Sequence, residues 1–193
     1  GVTPLVRLTS NNPDQIKRVM DAGAHGIIVP MVNSASDAIK AVEAIKYPPM
    51  GKRGVGLARA QGYGVQFQEY LDWQKDGSTV IVQIEHIDAV NCLEEIFTVE
   101  GVDGYIIGPY DLSGSMGIPG QFEHPDFLSA MKKIKSVASR MKITGGIHVI
   151  EPEPEQLRER INEGYRFIAY SLDFRMLDVA CRKGLKHIKD VQL

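Results

Sequence analysis

The sequence predicts an α/β protein whose parallel strands form part of a (β/α)8 TIM barrel. Short apolar runs rich in β-branched residues alternate with helical patterns along the whole chain, and no hairpin signal separates two strands. The chain has 193 residues and six such strand–helix repeats. A complete barrel has eight repeats in about 250 residues. We therefore expect one domain over residues 1–193, with the first two βα units of the barrel absent from this chain.

Six segments are predicted to be strands because they are short and rich in apolar and β-branched residues. Most of them are continuously apolar rather than alternating, which is typical of strands that are covered on both faces. The predicted strands are residues 4–8, 25–30, 79–85, 104–108, 143–149 and 165–171.

A helical pattern follows each predicted strand. Asn12 and Pro13 form a suitable N-cap and first turn for a helix that ends at Gly23. Ser34 and Asp37 resemble a capping box at the start of the next helix. The remaining predicted helices are residues 87–99, 124–141, 152–164 and 173–186.

A doubly wound open sheet is the competing architecture. Such a sheet usually has a glycine-rich phosphate loop after its first strand, and residues 5–15 contain no glycine. This favours the barrel. The glycine-rich stretch 47–64 is predicted to be an irregular loop, either a functional lid or a mobile connection.

The composition is that of an ordinary globular protein, with 44% hydrophobic residues, 24% charged residues and a net charge of −2. A balance of this kind argues against a basic surface for nucleic acid or anionic lipid. The two cysteines suggest no disulfide framework, and no apolar run approaches a membrane span. We therefore expect a cytoplasmic location.

Two carboxylates stand where neighbouring predicted strands end. Glu85 ends an otherwise apolar strand, and Asp111 follows the next strand along the chain. In barrels, function lies at the carboxyl ends of the strands. Two converging carboxylates suit a hard divalent cation. The alternative is that each acid only caps the helix that follows it.

Other polar residues are less specific. Arg7 near the end of an apolar strand either pairs with a carboxylate or binds an anionic ligand. Asp21 stands near the end of a helix, where an anion is disfavoured, so it is either simply solvated or orients another group. His86 and His148 are close enough to strand ends to reach a site there. The predicted strands contain no lysine, which argues against a Schiff-base aldolase.

Several longer motifs resemble the HpcH/HpaI aldolase family of metal-dependent class II pyruvate aldolases. They are VR at 6–7, KRVMDAGAHGIIVPMV at 17–32, YPPMGKRGVG at 47–56, ARAQGYG at 58–64, VQIE at 82–85 and EGVDGYIIGPYDLSGSMG at 100–117. The resemblance implies a barrel of the phosphoenolpyruvate/pyruvate type. It also implies reversible aldol cleavage of a 4-hydroxy-2-oxo acid to pyruvate and an aldehyde.

The resemblance implies roles for individual residues. Glu85 and Asp111 correspond to the metal ligands, for Mg²⁺ or Mn²⁺ with Co²⁺ possible. Arg7 corresponds to the arginine that contacts the pyruvate oxygens, and Gln83 to the glutamine near the bound 2-oxo acid. Asp21 corresponds to half of a His–Asp acid–base pair, whose histidine the resemblance puts on a strand before Val6.

Further implications concern the substrate carboxylate and the assembly. The turn at Gly108, Pro109 and Tyr110 corresponds to the backbone that binds the substrate carboxylate. Family members commonly form hexamers with exchanged C-terminal helices, so a homo-oligomer is expected. Three alternatives stay open: a lyase or synthase for citrate-like acids or CoA esters, a non-catalytic truncated barrel, and a phosphate site at Gly145 and Gly146.

Overall fold

The computed structural model describes residues 1–189 and contains a sheet of six parallel strands in sequence order, β1 to β6. The strands are β1 (Leu5–Arg7), β2 (Gly26–Val29), β3 (Thr79–Ile84), β4 (Gly104–Ile107), β5 (Thr144–Val149) and β6 (Phe167–Tyr170). Each strand pairs in parallel with the next strand along the chain. The predicted strands and their parallel arrangement are therefore confirmed, and the sheet is a partial barrel of the TIM type.

Helices connect the strands. They are α1 (Pro13–Asp21), α2 (Ala35–Ile45), α3 (Phe67–Gly77), α4 (Ile87–Asn91), α5 (Leu93–Phe97), α6 (Pro109–Ser115), α7 (Pro125–Met141), α8 (Pro154–Asn162) and α9 (Asp173–Lys189). None of the helices in residues 1–189 is both long enough and apolar enough to cross a membrane.

Local side-chain chemistry determines where α1 and α2 begin. The side chain of Asn12 accepts hydrogen bonds from the backbone N–H groups of Asp14 and Gln15, and Pro13 occupies the first turn of α1. Ser34 accepts a hydrogen bond from the N–H of Asp37 and donates its own hydroxyl hydrogen to the Asp37 carboxylate. These contacts satisfy backbone donors that a helix start leaves free, so both predicted caps are confirmed.

Three features of the helices differ from the prediction. The sequence did not predict α3, which has 11 residues, or α6, which has 7, and neither begins with a side-chain cap. The helix predicted over residues 87–99 is divided at Cys92, whose φ of −110° and ψ of 18° are not helical. The periodicity of apolar residues continues across this break, which is why it is invisible in the pattern.

The side chains of β3 alternate between two faces of the sheet. Val80, Val82 and Ile84 are fully buried in the hydrophobic core between the sheet and the helices. Residues at alternate positions of a strand point to opposite faces. Gln83 and the residue after the strand, Glu85, therefore face the inside of the partial barrel, where a functional site can form.

The loop from residue 47 to residue 64 packs against the amino-terminal ends of the strands. Tyr47, Arg53 and Gln61 within it are 0 to 3% exposed, and Arg59 donates a hydrogen bond to the carbonyl of Ala22 at the end of α1. Catalytic residues of TIM barrels lie at the other end. Within this chain the stretch therefore lies at the end of the sheet opposite Glu85, and its predicted role as a lid or a mobile connection stays a prediction.

Candidate active site

A buried carboxylate lies at the carboxyl-terminal end of β3. Glu85 is 2% exposed. Its Oε1 accepts a hydrogen bond from the backbone N–H of Met31 at 2.8 Å, and its Oε2 accepts one from Nε2 of Gln83 at 2.5 Å. Met31 follows β2 and has a φ of 53°, an uncommon conformation that turns its N–H toward the carboxylate. Two neighbouring strands thus hold one carboxylate in place.

Gln83 connects this carboxylate to a cation on β1. Nε of Arg7 donates a hydrogen bond to Oε1 of Gln83 at 3.3 Å. Arg7 stands one strand beyond β2, and its long side chain crosses the inside of the sheet to reach β3. The three side chains form a continuous line, from a guanidinium through an amide to a carboxylate, on the face where substrates of barrels bind.

Asp111 stands in the first turn of α6, directly after β4, and its side chain is exposed. Burial raises the pKa of Glu85, and the negative charge of Asp111 raises it further. The N–H of Met31, the charge of Arg7 and the amide of Gln83 lower that pKa and partly offset the increase. The two acids therefore share one site and repel each other, as expected where a cation is to be bound.

Gly108 leaves the space that this arrangement needs. A Cβ atom at this position would lie 2.9 Å from Oε2 of Glu85 and 3.0 Å from Nε2 of Gln83. Both distances are too short for a carbon atom, so a larger residue would displace the carboxylate. The φ of Gly108 is −100°, which any residue can adopt, so backbone conformation does not require a glycine here. The close approach of the Glu85 and Gln83 side chains does.

The donor set fits a divalent cation with open coordination positions. Within residues 1–189, no cluster of three His, Cys, Asp or Glu side chains has metal-binding geometry. Two carboxylates are available, each with lone pairs that the hydrogen bonds described leave free. Mg²⁺ and Mn²⁺ commonly bind to one or two carboxylates, with water and substrate as the other ligands. Glu85 and Asp111 are the residues that would hold such an ion.

Within this chain Asp21 does not lie near these residues, and its predicted role in a His–Asp acid–base pair stays a prediction. It is the last residue of α1, and that end of α1 lies at the amino-terminal ends of the strands. There it forms an ion pair with Lys17 at 2.5 Å. A helix that follows a strand runs back along the sheet, so its C-terminus is necessarily at the opposite end from Glu85. The motif that contains Asp21 does not by itself show in which direction α1 runs relative to the strands.

The turn that contains Gly108, Pro109 and Tyr110 lies at the expected rim. The first hydrogen bond within α6 runs from the N–H of Leu112 to the carbonyl of Gly108, so the N–H groups of Tyr110 and Asp111 precede it and point out of the helix start. The ring of Tyr110 packs edge-on against Phe122, with ring centres 4.9 Å apart. Only the backbone of this turn faces the carboxylates.

The two histidines considered from the sequence differ in position. His86 caps α4, because its Nδ1 accepts a hydrogen bond from the N–H of Asp88. His148 is on β5 and points to the same face of the sheet as Gln83 and Glu85. Gly145 and Gly146 lie within β5. A Cβ at Gly146 would stand 2.4 Å from the carbonyl oxygen of Phe167, so close strand packing rather than a phosphate explains this glycine.

Sequence reasoning missed two contributors. The backbone N–H of Met31 depends on a positive φ that the motif around it does not reveal. Ser171 also has a positive φ, of 59°, and ends β6 at the same rim. A non-glycine residue in this conformation is uncommon and often accompanies function, but only coordinates reveal it.

The fold and the site together define a parallel-barrel protein with an acidic, arginine-containing centre at the carboxyl ends of its strands. The HpcH/HpaI aldolase/citrate lyase family matches residues 1–178. The chain belongs to this family.

Related proteins agree with this assignment. The chain is 42% identical over 177 residues to the 4-hydroxy-2-oxo-heptane-1,7-dioate aldolase of Shigella flexneri, a match that covers 90% of this chain and 65% of that protein. It is 38% identical over 180 residues to the hydroxypyruvate/pyruvate aldolase of Sagittula stellata, covering 93% of this chain and 70% of that protein. The chain thus spans 65 to 70% of the length of these two relatives.

A solved structure supports the fold. An HpcH/HpaI aldolase/citrate lyase family protein from Burkholderia cenocepacia J2315 superimposes with a TM-score of 0.90 at 32% identity. The match covers 97% of this chain and 74% of that structure. The six strands described above therefore correspond to the greater part of a larger family domain.

Proposed function

We propose that this protein is a divalent-metal-dependent aldolase that reversibly cleaves a 4-hydroxy-2-oxo acid into pyruvate and an aldehyde. The observation that supports it most is the line Arg7–Gln83–Glu85 at the carboxyl ends of the strands, with Asp111 beside it. A cation and two acids on one rim suit chemistry in which negative charge develops on a 2-oxo acid. The names of the two relatives point to the same reaction.

In this proposal Glu85 and Asp111 hold Mg²⁺ or Mn²⁺, with Co²⁺ as another candidate. Such an ion supplies Lewis-acid stabilisation of negative charge on oxygen. Gln83 keeps the buried carboxylate of Glu85 oriented through its 2.5 Å hydrogen bond. Oriented in this way, the carboxylate needs less reorganisation to bind the ion.

Among the protein's own side chains, Arg7 is the one proposed to bind the reacting part of the substrate. Its guanidinium has further N–H donors beyond the one that Gln83 accepts. We propose that these donors bind the oxygen at C2 of the substrate. The N–H groups of Tyr110 and Asp111, next to Gly108 and Pro109, bind the substrate carboxylate.

The proposed reaction has three steps: deprotonation, cleavage of a carbon–carbon bond and protonation. A base removes the proton of the 4-hydroxyl group, and the C3–C4 bond breaks to release an aldehyde. The bonding electrons pass to the enolate oxygen at C2, where Arg7 stabilises them, and protonation at C3 yields pyruvate. Asp21 is too far from this rim to act as the base within one chain.

We propose that the base belongs to a complete eight-stranded barrel. Six strands are present in residues 1–189, and a closed TIM barrel has eight. Two further βα units would close the barrel next to Arg7 and place additional side chains at the same rim. We also propose a cytoplasmic homo-oligomer, with a hexamer as the assembly that the family resemblance implies.

Proton exchange at C3 of pyruvate tests the function without knowledge of the aldehyde. In the full-length protein with Mg²⁺ or Mn²⁺ in deuterated water, we expect the C3 protons to exchange, and chelation should abolish the exchange. Glu85→Gln and Asp111→Asn should each lower the rate by about 100-fold or more, since each removes a ligand. Calorimetric titration with Mn²⁺ should show weaker binding in both variants, independently of activity.

Asp126→Asn is the matched control, because Asp126 is also an exposed acid in the first turn of a helix, α7. It should exchange protons at the normal rate. Full exchange in chelated protein would exclude the metal assignment. No exchange in the metal-loaded wild type would favour a non-catalytic barrel instead.

A further inference from the structure

His148 occupies the same level of the barrel as the proposed metal ligand. Ile84 pairs with Ile107, and Ile107 pairs with Ile147. The next residues along these three strands are Glu85, Gly108 and His148, which therefore stand side by side. Neighbouring strands are about 4.8 Å apart, so the backbones of Glu85 and His148 are separated by roughly 10 Å. Gly108 between them has no side chain, so no side chain of β4 separates the two residues.

Two polar atoms at this end of the sheet have no partner. In the part of the chain that the structure describes, Nε2 of His148 and Oγ of Ser171 are buried and form no hydrogen bond. They belong to adjacent strands, because β5 pairs with β6 and Ser171 directly follows β6. Leaving a buried polar atom unpaired is energetically unfavourable. Such atoms at a functional rim are expected to pair with a ligand or with water.

The tautomer of His148 defines what Nε2 can bind. A backbone hydrogen bond to Ser171 raises the pKa of His148. We assign the donor of this bond to Nδ1, because Nε2 is buried without a partner. Burial is the larger influence and lowers the pKa of His148, so the ring is neutral at pH 7. A neutral ring that donates from Nδ1 offers only a lone pair at Nε2.

We propose that His148 and Ser171 form a second polar subsite, which binds a hydroxyl group on the aldehyde half of the substrate. A hydroxyl donates its hydrogen to Nε2, and its oxygen can accept the hydrogen of the Ser171 hydroxyl. A carboxylate has no hydrogen to donate to Nε2, and a hydrocarbon would leave both atoms unpaired. The proposal rests on the proposed function, because Arg7 and the carboxylates would hold the pyruvate half of the same substrate on the facing strands.

Two different roles for His148 fit the structure less well. It is not a third metal ligand, since the described residues contain no cluster of three candidate side chains. A histidine that serves only the core would have partners for both nitrogens, whereas Nε2 has none within residues 1–189. His148 is half-buried as a residue.

The test compares two aldehydes of equal length in aldol addition to pyruvate, glyceraldehyde and propanal. His148→Leu should lower kcat/KM for glyceraldehyde by about tenfold or more, since a hydrogen bond made by the substrate is lost. The same variant should change kcat/KM for propanal, and proton exchange of pyruvate, by less than about twofold. Ser171→Gly suits the positive φ and should have the same selective effect. Succinic semialdehyde tests a carboxylate in place of the hydroxyl and should not be favoured over propanal.

Two further variants complete the test. His148→Gln keeps an acceptor near the position of Nε2 and should restore most of the activity with glyceraldehyde. His124→Asn replaces another histidine, the N-cap of α7, with a residue that also caps helices, and should affect neither aldehyde. Equal losses with both aldehydes in His148→Leu, or no loss with glyceraldehyde, would overturn the subsite.

A measurement without turnover separates this proposal from the proposed function. The ¹⁵N resonance of Nε2 in His148 should shift when glyceraldehyde is added to the metal-loaded protein, and should not shift with propanal. If the wild type does not exchange the protons of pyruvate, the proposed function fails while this titration still tests the subsite. The absence of a shift with glyceraldehyde would exclude the subsite in either case.

Discussion

At the scale of single residues, the site depends on one carboxylate held by two neighbours and on one position without a side chain. Glu85 receives hydrogen bonds from Met31 and Gln83, and a Cβ at Gly108 would come within 2.9 Å of its Oε2. The sequence predicted that Glu85 and Gln83 share a site. It did not predict that Gly108 is necessary for steric reasons, because the contact joins two strands.

Gly108→Ala should therefore reduce proton exchange of pyruvate by about 100-fold, since the added methyl group pushes the Glu85 carboxylate out of place. Gly114→Ala is the control: this glycine is in the same helix region, and a Cβ there meets no atom within 4 Å. Exchange should be unchanged in that variant. Normal exchange in Gly108→Ala would mean that the carboxylate tolerates displacement and that its position is not critical.

At the scale of the elements, strand patterns were sufficient to locate all six strands because each has helices on one side and the barrel interior on the other. Two of the helices, α3 and α6, were harder to predict. The sequence signals of α3 and α6 are weak, since neither begins with a side-chain cap. The positions of α3 and α6 result from packing against the rest of the chain.

Among the strands, β4 is the most completely packed, because all four of its residues are buried.

Burial of β4 has a consequence at alkaline pH. Burial raises the pKa of Tyr105 to about 12 from 10.0, and its ring stacks on Phe97 at 5.0 Å. The neutral phenol is thus favoured in the folded state. Its contribution to stability is complete below pH 10 and is lost as the pH rises from 10 towards 12.

Tyr105→Phe should remove this dependence. The wild type should lose stability between pH 8 and pH 11, and the variant should lose about 1 kcal/mol less of its free energy of unfolding over the same range, as measured by urea denaturation. Tyr63→Phe, at a residue that is 72% exposed, should behave like the wild type. Identical pH profiles for Tyr105→Phe and the wild type would show that the phenol ionises freely in the folded protein.

At the scale of the whole molecule, α9 presents an apolar face that no other part of residues 1–189 covers. Phe174, Leu177, Leu185 and Ile188 are 60 to 66% exposed. Their spacing of three, eight and three residues places them along one side of a helix. An exposed apolar stripe of this kind is typical of an interface between proteins. It supports the proposed homo-oligomer.

Replacing both Phe174 and Leu177 with serine should weaken self-association at least about tenfold, as measured by analytical ultracentrifugation, because two large apolar contacts are lost. Ile39→Ser is the control, since Ile39 is an exposed apolar residue on α2 and 46% exposed. It should leave the assembly intact. A wild-type protein that is monomeric at micromolar concentration would contradict the homo-oligomer proposal.

The sequence by itself determined the class of fold and identified the residues that the structure brings together in the candidate site. Apolar runs of strand length separated by helical patterns leave little choice but a parallel α/β arrangement. The motifs containing Arg7, Gln83, Glu85 and Asp111 were recognisable without coordinates. All four signals are local, which is why a linear pattern contains them.

Only the tertiary structure decided which residues meet. Asp21 belongs to a recognisable motif, yet the direction of α1 takes it to the amino-terminal ends of the strands, away from Glu85. The sequence indicated only that His148 lies near the end of a strand. The strand register shows that it is level with Glu85, with Gly108 between them. The physical reason is the same in both cases. Position around a barrel depends on chain direction and register, and these depend on packing over long distances in sequence.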